Sequence, residues 1–519
     1  MKDNRHYAAL LIISFLALST VLFYGFSQVI TYFRTGADPS GMLLLSADEV
    51  DYFYRPDYTW SGIEEAEGRP MEEGTLQKVS KDYLAGYYYQ YQASGHGHEM
   101  GLKDYYSDKA RQQLKASAMS YKNGESSHRG TTIQHNLRLK FYSDDGTIIT
   151  LSDEVVSFNK VYSGGRYYRH YDTATYEVML LLEDNFWRVR HKIRGLPEKR
   201  FNPENLEKSA VSIQNNHFIV NGRPLHLKSL NYYPKQYPWR MMWENFDSID
   251  FASDFKKVRE AGFNSLRIFI PYEAFGKAEI RPEEIDKLKR LMDLAQVYEL
   301  KVIVTLFDFF LGYRIEEWTL SDRHAQAVVT ALRDHPALLA WDVKNEPDLD
   351  FESFGKGEVL DWLDFITQRI RTYDPNHLIT IGWSQPEASM LLTEQVDFLS
   401  FHFYRDPKEL DAFMNNLPEL NIPILLEETG MHSYDAWWYP FGKSEAEQAD
   451  YLEQVLAISK KYNLHYAIWT LYDFENVPGD VAGDAPWRRR PQMRYGLIDT
   501  KMNKKKVYEV VKKYNEDEN

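Results

Sequence analysis

No cysteine occurs anywhere in the 519 residues. That absence excludes disulfides, a thiolate metal site, a cysteine nucleophile and a lipid-modified N-terminal cysteine. It leaves the compartment open, because a cysteine-free chain suits either redox environment. Positive charge is in deficit: 61 Lys and Arg stand against 76 Asp and Glu, a formal net charge of −15. Such a surface argues against nucleic acid as a partner and against an electrostatic grip on anionic lipid. No EF-hand, HExxH or other dense metal-ligand motif is present. No Gly-rich phosphate loop opens the alternating second half of the chain, which counts against a doubly wound nucleotide fold.

Aromatic residues, by contrast, are plentiful at 15%, with 37 Tyr and 12 Trp. Flat apolar rings with polar edges suit stacking on sugar faces, although many must also be core. The longest hydrophobic run extends from Ala8 to about Ile30, interrupted by a few Ser, Thr and Gln. A membrane span needs ~20 such residues. Lys2 and Arg5 precede the run and Arg34 follows it, ahead of an acidic body. This bias favours the N-terminus inside and the body outside. Residues 1–35 are therefore expected to be a cytoplasmic stub and single-pass anchor, with the body extracytoplasmic; a cleaved signal ending near Gly36 and a buried helix are the alternatives. Residues 36–73, a mixture of Gly, Pro, Asp and Glu without period, are expected to form a linker.

Residues 74–200 begin with helical patterns and continue as four β-type stretches separated by SDDG, SGG and EDN turns. This order implies a small α+β domain and resembles the NTF2-like cone fold. Two readings stand: it docks a protein partner or glycan, or it is a spacer between the membrane and the C-terminal part of the chain. From about residue 205 strand and helix alternate. LHLKSL, SLRIFI, VIVTLF, LLAWDV, LITIG, FLSFHF, ILLEE and YAIWT are the candidate strands, and eight such units over ~300 residues suit a (β/α)8 barrel. The fold class is thus α/β, a TIM barrel preceded by the anchor and the small domain.

In such a barrel, chemistry collects at the C-terminal ends of the strands. AWDVKNEPDL puts Glu346 just past the fourth strand, and IPILLEETG ends the seventh in Glu427 and Glu428. Two carboxylates across one barrel mouth are what glycosidic bond cleavage needs. The alternative for Glu346 alone, an acidic flank for the next helix, does not explain the pair. Alternation along a strand lets only one of Glu427 and Glu428 face the mouth.

NEP after strand four together with Glu428-Thr429-Gly430 after strand seven resembles clan A glycoside hydrolases, and the cellulase-like family 5 in particular, over about residues 211–519. The resemblance implies a retaining mechanism with Glu346 as acid/base and Glu428 as nucleophile, and no metal or cofactor. It assigns Arg267 to orienting the nucleophile and Asn345 to the substrate 2-hydroxyl. His402 and Tyr404 fall beside the nucleophile, and Trp469 becomes a platform under the sugar. The plainer alternatives are a salt-bridged core arginine, a satisfied core histidine and barrel packing. Glu346 is expected to start protonated, its pKa raised by burial and the neighbouring anion. One position departs from the family pattern: Asp308 stands where a histidine is usual, either as a sugar contact or as an unrelated loop acid.

Tyr232, Tyr233, Trp239, Trp243, Trp318, Trp383, Trp437, Trp438 and Trp487 are rim candidates, about half of them expected to be packing. PWRRRPQMRYG is basic in an acidic chain, and reads as an acidic-sugar contact or as a solvated charge run. The expected function is a membrane-anchored retaining β-glycosidase acting on a β-linked poly- or oligosaccharide outside the cytoplasm. A transglycosylase and a non-catalytic glycan-binding accessory subunit of a polysaccharide synthesis or export complex are the alternatives.

Overall fold

The computed structural model describes residues 50–124, 126–163, 166–195, 211–418, 420–483 and 485–517. The expected anchor at Ala8–Ile30 lies outside them. Among the described residues no helix is long and apolar enough to cross a membrane. The chain divides into Met1–Tyr52 and Phe53–Asn519, and among the described residues every strand belongs to the second unit.

Its first part is a six-stranded sheet. Four long strands, β3 (Ser126–Tyr142), β4 (Ile148–Ser163), β5 (Arg166–Glu183) and β6 (Phe186–Arg194), form an antiparallel meander. The segment expected to be linker supplies β1 (Asp57–Ser61) and β2 (Glu67–Gly68), both parallel to β3. Two register shifts bend β3, after Thr132 and after Leu139, as bulges do. The helix Glu73–His96 lies on this sheet and brings a stack of tyrosines with it. Burying tyrosine requires partners for its hydroxyl. Tyr83 OH donates to Asp153 Oδ2 at 2.8 Å, which His135 Nδ1 also reaches at 2.8 Å.

A small three-stranded sheet comes next: β7 (Val211–Gln214), β8 (His217–Val220) and β9 (Arg223–Leu225). Asn221 and Gly222 turn the β8–β9 hairpin with φ of 50° and 76°, the left-handed pair that a tight hairpin demands. Phe218 and Val211 pack with Leu339, Ala340, Leu378 and Leu425, near the starts of barrel strands, and so close the floor of the barrel. The barrel itself is β10 (Lys228–Asn231), β11 (Ser265–Pro271), β12 (Lys301–Asp308), β13 (Leu338–Asn345), β14 (Leu378–Trp383), β15 (Leu399–Phe403), β16 (Ile424–Thr429) and β17 (His465–Ile468), all parallel and closed by β10 on β17. All seven residues of β11 are buried, because a barrel strand is covered by core on one side and helices on the other.

Sheet and barrel meet in a hydrophobic contact, with Ile133 and Phe158 of the sheet joining the barrel's core. Phe158 of β4 packs at 4.7 Å on Trp318 and 6.0 Å on Phe365, both on barrel helices. Around that contact, Lys160 pairs with Asp361 at 2.6 Å and Arg129 with Glu358 at 3.1 Å. Glu316, on the loop after β12, is 4% exposed and meets His96 of the Glu73–His96 helix at 2.5 Å. Burial pushes the Glu316 carboxyl up, but His96 and Arg129 outweigh it and hold it down at about 2. A depressed carboxylate pKa stabilises above the unfolded value and loses that contribution as pH falls through the folded one. Glu316→Gln is therefore expected to cost roughly 2–3 kcal/mol at pH 7. The gap from the parent should close between about pH 4.5 and 2 in a series of denaturant melts. A gap that does not change with pH would contradict this account.

Candidate active site

The C-terminal ends of the barrel strands surround a cavity of about 280 Å³. Asp308, Asn345, Glu346, Tyr404, Glu428 and Trp469 line it. Arg267 lies directly beneath and is fully buried. Its Nη1 donates to Glu428 Oε1 at 2.6 Å and to Asn231 Oδ1 at 3.2 Å. On the other side Nη2 reaches Asp342 Oδ2 at 2.6 Å and Asn345 Oδ1 at 2.9 Å. With Oδ1 taken by Arg267, the Asn345 amide nitrogen is the group left for a ligand. Tyr404 OH donates to Glu428 Oε2 at 2.8 Å, so each oxygen of that carboxylate has its own donor.

Glu346 follows β13 in the left-handed region, with φ 50° and ψ 48°. A non-glycine residue holds that conformation only where its surroundings enforce it. Here its N–H donates to Gly382 O at 2.6 Å, and its side chain meets His402 Nδ1 at 2.9 Å. Burial pushes the Glu346 carboxyl up, but the His402 hydrogen bond and charge, with Arg267 and Lys344, hold it below the ordinary range. This corrects the expectation of a raised pKa, which left out the histidine. Burial opposes charge on His402, yet Glu428, Glu346 and Glu427 together push it up to about 10. The proton of this pair therefore rests on the imidazole.

Glu427 does not line the cavity. It is fully buried behind it, 3.5 Å from Arg267 Nε and 3.6 Å from His402 Nε2, and burial raises its pKa. Asp308, 4% exposed at the end of β12, faces the same cavity as the two glutamates. Burial pushes it up to about 7, against the pull of Lys344 and Arg267.

One oxygen each of Glu346 and Glu428 and a His402 nitrogen all fall within 4.8 Å of one another, a spacing that could hold a cation. A ligating histidine must be neutral, however, and this one is held cationic. The arrangement suits charge pairing better than metal binding.

The rim rings divide by place. Tyr232, Trp243, Trp318 and Trp383 are buried packing. Tyr233 and Trp239 line the cavity beside Trp469, with Trp239 at 5.8 Å from it. The bond between Trp469 and Thr470 is cis. Trp437 and Trp487 are exposed.

Residues 220–475 match the family model described as cellulase, glycosyl hydrolase family 5. The barrel is a family-5-like glycoside hydrolase domain of clan A. Among relatives, β-glucuronidase of Chlorocebus aethiops is 23% identical over 296 residues, 53% of this chain and 43% of that one. Mannan endo-1,4-β-mannosidase A of Podospora anserina is 23% identical over 208 residues, 34% of this chain and 54% of that one. The chain thus spans about half the length of either relative. An exo-β-1,4-mannosidase from Opitutaceae bacterium strain TAV5 superposes with a TM-score of 0.50 at 19% identity, covering 59% of this chain and 62% of that one. At that identity the likeness shows the fold.

Four parts of this family-5-like site escaped the sequence reading. Asn231 and Asp342 anchor Arg267, and Thr305 Oγ1 braces Asp342 Oδ2 at 2.6 Å. Asp342 had a signal: an acid inside the apolar run LLAWDV must be paired if it is buried. Gly382 is the fourth. A Cβ there would stand 2.4 Å from Glu427 Oε2 and 2.8 Å from Arg267 Nη2. Gly382→Ala should lower turnover at least ~10-fold and destabilise by about 1–3 kcal/mol. Gly357→Ala, with nothing within 4 Å, should do neither. Side-by-side melts and rates would check this pair, and equal effects would contradict the packing argument.

Proposed function

We propose that the protein is a membrane-anchored retaining β-glycosidase that hydrolyses β-linked poly- or oligosaccharides outside the cytoplasm. The observation that carries the reading is the approach of one oxygen of Glu346 to one of Glu428 within 4.8 Å, from strands on different sides of the barrel. Carboxyls ~5–5.5 Å apart leave no room for a water between sugar and base, whereas an inverting site needs ~6.5–9.5 Å. In the first step Glu428 attacks the anomeric carbon while the glycosidic C–O bond breaks. The leaving oxygen takes the proton held between His402 and Glu346, delivered through Glu346. Then Glu346 removes a proton from water, which displaces Glu428 and restores the β configuration. Arg267 and Tyr404 hold the nucleophile's two oxygens, Asn345 and Asp308 contact sugar hydroxyls, and Trp469 stacks beneath the ring.

The cavity is lined by carboxylates and rings, and no Lys or Arg lines it among the described residues. That favours a neutral sugar at the cleavage site, as in the β-mannosidase relatives, over a glucuronate. The anchor reading is supported by the Ala8–Ile30 run. The small domain is assigned an NTF2-like fold, supported by its helices leading into a bent antiparallel meander. Its docking role toward a protein partner belongs to the same proposal.

Full-length protein in detergent, screened on β-mannan and other β-glycan oligosaccharides, tests the reading. Glu346→Gln and Glu428→Gln should each lower turnover by roughly 10²–10⁴ with melting nearly unchanged, and Glu427→Gln should do much less. Activity retained in both of the first two would sink the proposal. A second outcome concerns pH. The pair's proton leaves near His402's value of about 10, whereas in His402→Gln it leaves at the lower pKa of Glu346 alone. The basic limb of kcat/KM should therefore move to lower pH in that variant, and an unmoved limb would take His402 out of the proton path.

A further inference from the structure

The loops after β16 and β17 are tied together beside the cavity, with Ser433 N donating to Arg494 O at 2.9 Å. The second of them contains the helix Pro486–Gln492, whose Gln492 lines the cavity. Arg488 stands four residues before Gln492, on the same helical face. In a chain of net charge −15, the arginines Arg488, Arg489 and Arg490 have no carboxylate partner among the described residues. Arg489 donates to Asn476 Oδ1, while Arg490 reaches Tyr434 OH at 3.4 Å and sits 5.5 Å over Trp438. Elsewhere exposed arginines find acids, as Arg194 does with Asp172 and Arg405 with Glu387.

Rings connect this patch to the catalytic groups. Tyr404, which holds Glu428, meets Tyr495 edge-on at 6.0 Å, and Tyr495 also lines the cavity. Farther out Trp487 is 58% and Trp437 98% exposed. Large rings left in water beside a cleft mark a binding surface, and a sugar face is the flat, half-polar partner they suit. Guanidinium groups with no carboxylate partner among the described residues add a grip on carboxylate oxygens, in forked geometry. The cavity has the opposite character, with Asp308, Glu346 and Glu428 in its wall. A carboxylated sugar is repelled there and attracted by the arginines of the neighbouring loop.

We propose that the loops after β16 and β17 form a subsite for a uronate residue of the glycan chain whose neutral residue occupies the catalytic cavity. The subsite rests on the glycan-cleaving reading of the cavity, and a binding measurement lets the two fail separately. Full-length Glu428→Gln protein in detergent would be titrated calorimetrically with hyaluronan hexasaccharide and deacylated gellan oligosaccharide, in which uronate and neutral residues mix. Each would be compared with its carboxyl-reduced form. At 50 mM NaCl the acidic form should bind at least ~10-fold tighter than the reduced form, and the advantage should shrink at 500 mM. Adding Arg488→Gln and Arg490→Gln should remove that advantage without altering the melt or the affinity for the reduced form. Lysine at both positions should restore part of it, because charge returns without the fork. The proposal is overturned if no acidic probe binds, if the reduced forms bind equally, or if the arginine pair makes no difference. Turnover of neutral β-oligosaccharides by protein with an intact Glu428 reports separately on the cavity; its absence alongside arginine-dependent uronate binding would fault the cleavage reading and leave the subsite standing.

Discussion

The Arg267 guanidinium is the constraint on which the rest of the site depends. A cation with no exposed surface must be surrounded by acceptors, or the cost of removing it from water is unrecovered. Here the acceptors come from three other barrel strands: Asn231 on β10, Asp342 and Asn345 on β13 and Glu428 on β16, with Arg267 itself on β11. Satisfying one buried charge thus fixes the mutual positions of elements that are far apart in sequence. Its reach explains why Gly382 cannot carry a side chain and why Asp342 sits in an apolar strand. With the nucleophile candidate held from below by Arg267 and from the side by Tyr404, the second carboxylate is held from another direction, by His402. The site is a lattice of alternating charge, in which the shifts of Glu346 and His402 answer to burial and to their neighbours.

The small domain belongs to the same mechanical unit. Phe158 enters the barrel core, and the ion pairs around it include Glu316 on the loop that leaves β12. That strand ends in Asp308 on the cavity wall, and Tyr313 on the same loop donates to Asp350 Oδ2 at 2.5 Å, on the segment after Glu346. The meander therefore braces two of the loops that frame the cavity.

The barrel was legible in the sequence because its strands are short apolar runs alternating with amphipathic helices, a pattern both regular and repeated eight times. The two glutamates were legible because each ends such a run. Less local features were not. Strands β1 and β2 are short and mostly exposed, and gain their identity only by pairing with β3, so 36–73 read as linker. Asn231 and Asp342 matter through Arg267, which lies 36 and 75 positions away. The charge state of Glu346 depends on His402, 56 positions on, and a reading from burial and the nearer anion gave the wrong direction. Four of the nine rim rings proved to be core for a similar reason: a tryptophan near a strand end looks the same whether it faces the cavity or the helices.

The central claim is that Glu428 bonds to the sugar while Glu346 handles the proton, and the stereochemistry of the first product tests it most directly. Proton NMR of a β-linked oligosaccharide during the first minutes of turnover, before mutarotation, reports the new anomeric centre. Carboxylate oxygens within 4.8 Å of each other suit the proposed double displacement, for which the account predicts a β-anomer as the first product. An α-anomer appearing first would mean single displacement by water, and would contradict the assignment of these two glutamates.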